Sequence, residues 1–234
     1  TLLKQVSGEA GGESKEEQDL KETPGPVTAT SHPVEPAAVE DAAGFLNILR
    51  EQSHKPAGVA LTFRGQGRDR AIEEIALAAD GGLWVFSSFM GSAGQTAELV
   101  QGLLEKRQAP LYCHEGKELT TLALQETGEA GPIRDTRIMA YLLASEDRVY
   151  DLEEILSTYG DLSVDCSTTA GRAQGALLAG PLVEERMQDE GLWELYEDLE
   201  RPLLEVLCRM ELHGVRVDPD ILEVFLEEAD EEVI

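Results

Sequence analysis

From Asp41 onward the apolar residues recur at two spacings, every second position and every third or fourth, and the two alternate along the chain. The stretch 41–52, DAAGFLNILREQ, places Phe45, Leu46 and Leu49 on one side of a short helix. GVALTFR at 58–64 reads as a strand. AIEEIALAAD fits either period, but a two-glycine turn signal follows it, and then the β-prone run LWVFSS. The spacing therefore predicts a hairpin of strands 71–79 and 83–87. TAELVQGLLEKR, 96–107, gathers Leu99, Leu103 and Leu104 on one helical face. A short buried strand is expected over 109–116, and a helix over 117–128 closed by Gly128. Two further helices, 135–145 and 151–160, each open on an aspartate suited to an N-cap. Strands first, then helices alternating with strands, then helices alone: this order fits an α/β domain with a mixed sheet covered by helices.

Both ends of the chain depart from that pattern. Residues 7 to about 40 hold few large apolar side chains among many Gly, Pro, Ser, Thr and Glu, too little to offset the entropy of ordering. A flexible linker is expected there, joined to a folded unit upstream. SVDCSTTAGRAQG, 163–175, also reads as a connection. Beyond it everything reads as helix. Trp193, Tyr196, Leu199, Leu203, Val206, Leu207 and Met210 advance by three or four, as one face of a continuous helix. Gly214 ends that helix, VRVD is extended, and Asp218-Pro219 opens the next with an N-cap and a proline in the first turn. The chain opens without Met and reaches Ile234 inside this last helix, so it reads as an internal piece of a longer protein.

Charge narrows the function classes. With 19 basic against 46 acidic residues the net charge is −27, and from Glu184 to the end 18 acids face four arginines. Such a surface repels phosphate backbones, because nucleic-acid affinity comes mainly from Lys and Arg neutralising phosphates. Acidity also serves plain solubility. Cys113, Cys166 and Cys208 are isolated, with no CxxC or Cys/His spacing of a zinc site, so reduced thiols are expected. No stretch has the apolar length of a membrane span.

At DTRIMAYLLASEDRVYDLEEILSTYG and at LWELYEDLERPLLEVLCRMELHGVRVDPDIL the sequence resembles bacterial DNA polymerase I of family A. The second stretch looks like that family's passage from its exonuclease-like domain into its polymerase domain. The matching positions are Glu200, Arg201, Pro202, Leu203, Met210, Glu211, Gly214, Val215, Val217 and Asp218. Upstream, Asp135, Thr136, Tyr141, Leu142 and Leu143, then Leu152, Glu153, Leu156 and Tyr159, match a second element. The resemblance covers 133–234 by motif and 41–132 by order of elements. It implies a ribonuclease-H-like, DnaQ-like exonuclease fold: a mixed sheet flanked by helices, followed by the helical start of the polymerase thumb. The implied domains are a linker at 1–40 after a 5′-nuclease domain, a degenerate 3′–5′ exonuclease-like domain at 41–192, and the start of the polymerase domain at 193–234.

An active exonuclease domain of this family holds two divalent cations on carboxylates. Its D-x-E motif falls on the first strand, where Thr62 and Arg64 stand near those positions. Its H-N-x-K-(Y/F)-D element meets HEGKEL: His114 and Lys117 are in register, but Glu115 replaces the Asn and Leu119 the Asp. The Y-x-x-x-D element should fall around 168–180, which holds neither Tyr nor Asp. Hard cations need carboxylate oxygens and an arginine opposes them. The resemblance therefore implies no catalytic, cofactor-binding or metal residue in this chain, with Mg²⁺ expected only for the parent polymerase. Its expected role is architectural, as a monomer in the bacterial cytoplasm, with DNA held by other parts of the parent. Two rivals stay open: a working exonuclease using Glu73, Glu74, Glu118 or Asp135, and an acidic protein-interaction module.

Other groups have plainer readings. RGQGRDR at 64–70 has a Gly-x-Gly but Arg70 in place of a third glycine, which suits a turn between strands. Cys113 and His114 are strand neighbours facing opposite sides rather than a nucleophile pair. Glu153-Glu154 suits a helix N-terminus, the run Glu227, Glu228, Asp230, Glu231, Glu232 a solvated face, and Trp193 and Tyr196 a core.

Overall fold

The computed structural model describes residues 34–65, 71–87, 93–146 and 150–232. The first elements are β1 (Ala37–Val39), α1 (Ala42–Glu51), β2 (Ala57–Arg64), β3 (Ala71–Ala79) and β4 (Gly82–Ser87). Next come α2 (Ala93–Leu104), β5 (Leu111–Cys113), α3 (Lys117–Thr127), β6 (Ile133–Asp135), α4 (Thr136–Leu143), α5 (Leu152–Gly160) and α6 (Thr169–Asp189). The chain closes with a short turn α7 (Trp193–Leu195), a π-type turn at Tyr196–Glu200, α8 (Arg201–His213) and α9 (Pro219–Glu232).

The strands form one mixed sheet in the order β1-β4-β3-β2-β5-β6. β2, β3 and β4 are an antiparallel meander, while β5 and β6 add in parallel beside β2. The β3–β4 turn is the expected hairpin: Asp80 and Gly81 both take positive φ, 40° and 76°, matching the twist of the strands. Strand alternation sorts the two faces. Ile75, Leu77 and Ala79 meet Phe45, Leu49, Leu99, Leu103 and Leu119 from α1 to α3. Ala76 and Ala78 turn to the other face with Ala60, Ala173 and Leu177. A bulge at Glu73 of β3, opposite Thr62 and Phe63, resets this period, which lets Ile72 join the same cluster as Ile75.

Helix α6 lies directly across β2 because the sheet is small-sided there. A Cβ on Gly58 would sit 2.0 Å from the Ala173 carbonyl oxygen and 2.5 Å from the Leu177 nitrogen. Further along, a Cβ on Gly180 would enter the Tyr112 ring at 2.2 Å. Beside α6, α4 and α5 bury Met139, Ile155 and Leu156 with Val183, Met187 and Tyr196. The α/β mixed-sheet architecture is thus the ribonuclease-H-like one that the motifs implied.

Three expectations need correction. Ala37–Val39, inside the stretch read as linker to residue 40, pairs in parallel with β4 as an edge strand; residues 1–33 lie outside the described residues. Val39 packs on the core and the backbone pairs along β4, neither of which composition shows. The connection read over 163–175 is half helix: Thr168 caps α6, its hydroxyl accepting from the Gly171 nitrogen at 3.0 Å. The glycines and alanines that look like a loop are what allow the close crossing over β2. Finally, Trp193 to Met210 is not one continuous face. Tyr196 and the partly buried Trp193 turn into the core, whereas Leu199, Leu203, Val206, Leu207 and Met210 stay exposed.

Candidate functional site

Pairing between β2 and β5 covers Ala57 to Val59 and stops opposite Cys113. Past that point the edge of β2 becomes one wall of a cleft of about 640 Å³. Leu61 and Phe63 line this wall; Thr62 does not, and Arg64 is exposed. The β2 side chains that reach the cleft are therefore apolar, and the two positions expected near the first motif do not line it.

The opposite wall is the turn from β5 into α3. Glu115 takes φ 60°, which swings the chain out of the strand and brings Lys117 and Glu118 to the opening. Glu115 pairs with Arg137 at the start of α4. Lys117 reaches Glu211 of α8 at 2.5 Å, and Leu119 is buried in the core below. His114 Nδ1 lies 3.0 Å from the Thr136 hydroxyl. Burial, then the neighbouring Arg137 charge, pushes its pKa down to about 4, so the ring is neutral near pH 7.

Asp135, the last residue of β6, is the buried carboxylate of the cleft. Its Oδ2 accepts from the Gly116 nitrogen at 2.7 Å, and its Oδ1 accepts from the Arg137 nitrogen at 2.9 Å as the N-cap of α4. Burial outweighs these bonds and lifts its pKa to about 6. The fourth side is Arg172 of α6, from the stretch where the third motif was expected. Its Nη2 donates to the Leu61 carbonyl at 3.4 Å and the Thr169 hydroxyl at 3.5 Å. This stretch holds no acid, as its sequence shows, and supplies a cation to the cleft that the motif comparison does not anticipate. The basic residue at that point of α6 was the available signal.

A two-cation centre needs several carboxylate oxygens converging on shared positions. Here one wall is Leu61 and Phe63, Glu115 is committed to Arg137, both oxygens of Asp135 hold backbone N–H groups, and Arg172 adds positive charge. Among the described residues no three His, Cys, Asp or Glu side chains group as a metal site. The residues present do not fit such a centre. Of the acids named for a working nuclease, Glu118 and Asp135 share the cleft. Glu73 is exposed, and Glu74 accepts from the Ser87 hydroxyl at 2.9 Å on the hairpin.

The remaining candidates sort simply. Cys113 is buried in the core, with burial raising its thiol pKa, and it forms no pair with the His114 ring. Glu153 accepts from the Cys166 nitrogen at 3.0 Å, tying α5 to the start of the α6 connection. Glu228 is exposed on α9, and residues 66–70 of the arginine loop lie outside the described residues. A second groove of about 650 Å³ runs between Val34, Leu83, Leu162 and Leu178, with Asp161 and Asp165 as its ionisable groups. Nothing there converges as the side chains around Asp135 do.

No family model matches the chain. It is 32% identical over 184 residues to thermostable DNA polymerase I of Thermus thermophilus, covering 70% of this chain and 21% of that protein. To the Thermus filiformis counterpart it is 32% identical over 146 residues, 61% of this chain and 16% of that one. The chain thus spans about a fifth or less of the length of these relatives. Among solved structures, the POL domain of Pol1 from M. smegmatis, in complex with DNA primer-template and dNTP, shares its fold. That match has TM-score 0.66 and 21% identity over 83% of this chain and 35% of that one. Brucella melitensis NrnC with bound Mg²⁺ follows at TM-score 0.59 and 18% identity, covering 76% of this chain and 92% of that one. The catalytic core of RRP6 from Trypanosoma brucei gives TM-score 0.61 at 9% identity, over 80% and 56%. Motifs, sheet order and these likenesses agree: the chain is related to bacterial DNA polymerase I, matching a segment of those proteins, and carries the exonuclease-like fold.

Proposed function

We propose that this chain is the architectural part of a DNA-directed DNA polymerase: an exonuclease-like unit that does not cut, leading into the first helices of the polymerase region. Residues 1–40 then act as a tether from a 5′-nuclease domain, up to the edge strand at Ala37–Val39. Residues 193–234 begin the thumb. The whole protein extends primer 3′ ends with Mg²⁺ in replication and repair, as a bacterial cytoplasmic monomer, and holds DNA through parts outside this acidic segment. Among the described residues no helix is long and apolar enough to cross a membrane. The observation that carries the reading is the cleft lined by Leu61, Phe63 and Arg172 where cation ligands are needed. The exposed apolar run Leu199, Leu203, Val206, Leu207 and Met210, continued on α9 by Ile221, Leu222, Val224 and Phe225, supports it as a face for the polymerase body.

A working exonuclease remains the second reading, favoured by the presence of Glu118 and Asp135 in one cleft. Incubating the purified chain with end-labelled single-stranded DNA and Mg²⁺ or Mn²⁺ separates the two. No shortening is expected. Metal-dependent shortening that disappears in Glu118→Gln or Asp135→Asn would establish the second reading instead.

A further inference from the structure

Arg134 on β6 sits where the sheet, α6 and the outgoing helix meet. Its Nη1 lies 2.5 Å from Glu184 of α6, and its Nε lies 3.5 Å from Glu197 of the π-type turn. Its guanidinium carbon stands 4.8 Å over the Trp193 ring. Glu184 also accepts from the Tyr112 hydroxyl on β5, and Glu197 pairs with Arg201 at 2.8 Å at the start of α8. The two carboxylates and two guanidiniums balance in charge. Arg134 is only 22% exposed and Glu184 15%, so these charges are screened far less than surface pairs.

A second tie runs beside the first. The backbone N–H of Asp135 donates to the Tyr196 hydroxyl at 2.9 Å, and Tyr196 is buried against the Trp193 ring. Tyr196 and Glu197 can both face inward because the helix widens here. The Arg201 N–H reaches the Tyr196 carbonyl five residues back, and Pro202 has no N–H to give the Asp198 carbonyl. Downstream, Cys208 is fully buried against α3, and Arg209 reaches the Gly128 carbonyl at 2.9 Å.

We propose that the Arg134–Glu184–Glu197–Trp193 cluster is a clamp that fixes the direction in which α8 leaves the α/β unit. The cleft and the outgoing helix then move as one body, and the first pivot comes at Gly214. This deepens the architectural reading and rests on it, since it says why a unit that does not cut is kept: it aims the helix. Arg134 is a positioning residue, acting through Glu197 and Trp193 rather than on any substrate.

Backbone hydrogen exchange on the full chain tests this apart from any nuclease assay. In Arg134→Met the amides of Tyr196 to Val206 should exchange faster by roughly tenfold or more, while Val59 and Ile75 in the central strands keep their protection. Arg134→Lys should restore only part of it, because an ammonium cannot fork between two carboxylates and stack on the indole. Glu197→Gln, which leaves the Glu184 pair intact, is the milder variant and should loosen the same segment if Arg134→Met fails to fold. Unchanged exchange at 196–206 in the folded variants, or an equal rise at Val59 and Ile75, would overturn the clamp. A nuclease-active chain that still loosened at 196–206 would remove the architectural reading and leave the clamp standing.

Discussion

Asp135 and His114 both line the cleft, and the fold shifts their protonation in opposite senses. Asp135 is raised from 3.8 to about 6, so the stability it contributes is full below about pH 3.8 and is lost as pH rises through 6. His114 is lowered from 6.5 to about 4, so its contribution is full above about pH 6.5 and is lost as pH falls through 4. Each shift corresponds to roughly 3 kcal/mol, and over pH 4–6.5 the two largely offset. Removing one should unmask the other. Relative to the unmodified chain, Asp135→Asn is expected to lose roughly 2–3 kcal/mol between pH 6.5 and pH 4, whereas His114→Gln should gain on the same acidification. Urea midpoints at several pH values would show it; parallel curves for all three proteins would refute the assignment.

At the level of elements, what the sequence made legible was whatever has a long period or a strong stop signal. The α1 stripe, the Asp80-Gly81 hairpin, the aspartate cap of α4 and the glycine end of α3, with Gly128 at φ 79°, all appear as expected. The three-residue strands β1 and β6 are too short to show a period, and their place comes from ladder partners, whereas β5 lies within the strand expected over 109–116. α6 was half hidden because its glycines and alanines answer the sheet below it rather than a local preference. Spacing alone could not divide the Trp193–Met210 stripe, since only tertiary contact tells Tyr196, 1% exposed, from Met210, 63% exposed. That division has a measurable consequence. Tyr196→Ala should cost about 3–5 kcal/mol, as for other buried aromatics, while Leu207→Ala on α8 should stay within about 0.5 kcal/mol in this chain. Equal losses at the two positions would mean that α8 packs differently.

Across the whole molecule the same logic locates function. The chain carries the exonuclease-like fold, and around its cleft Asp135 caps α4 and ties the Gly116 turn, Glu115 pairs with Arg137, and Arg172 reaches the Leu61 carbonyl. The sequence motifs exposed the missing acids. Alternation along β2 turns Val59, Leu61 and Phe63 to the opening, whereas Thr62 and Arg64, the positions expected near the first motif, do not line it. Leu61 and Phe63 are no better ligands than Thr62 and Arg64, so the chemical conclusion does not depend on that register. A net charge of −27 repels the phosphate backbones of nucleic acids. The most direct test of an architectural cleft is anomalous scattering from crystals soaked in manganese. The account predicts no ion among Leu61, Glu118, Asp135 and Arg172; two manganese ions seated there beside β2 would contradict it.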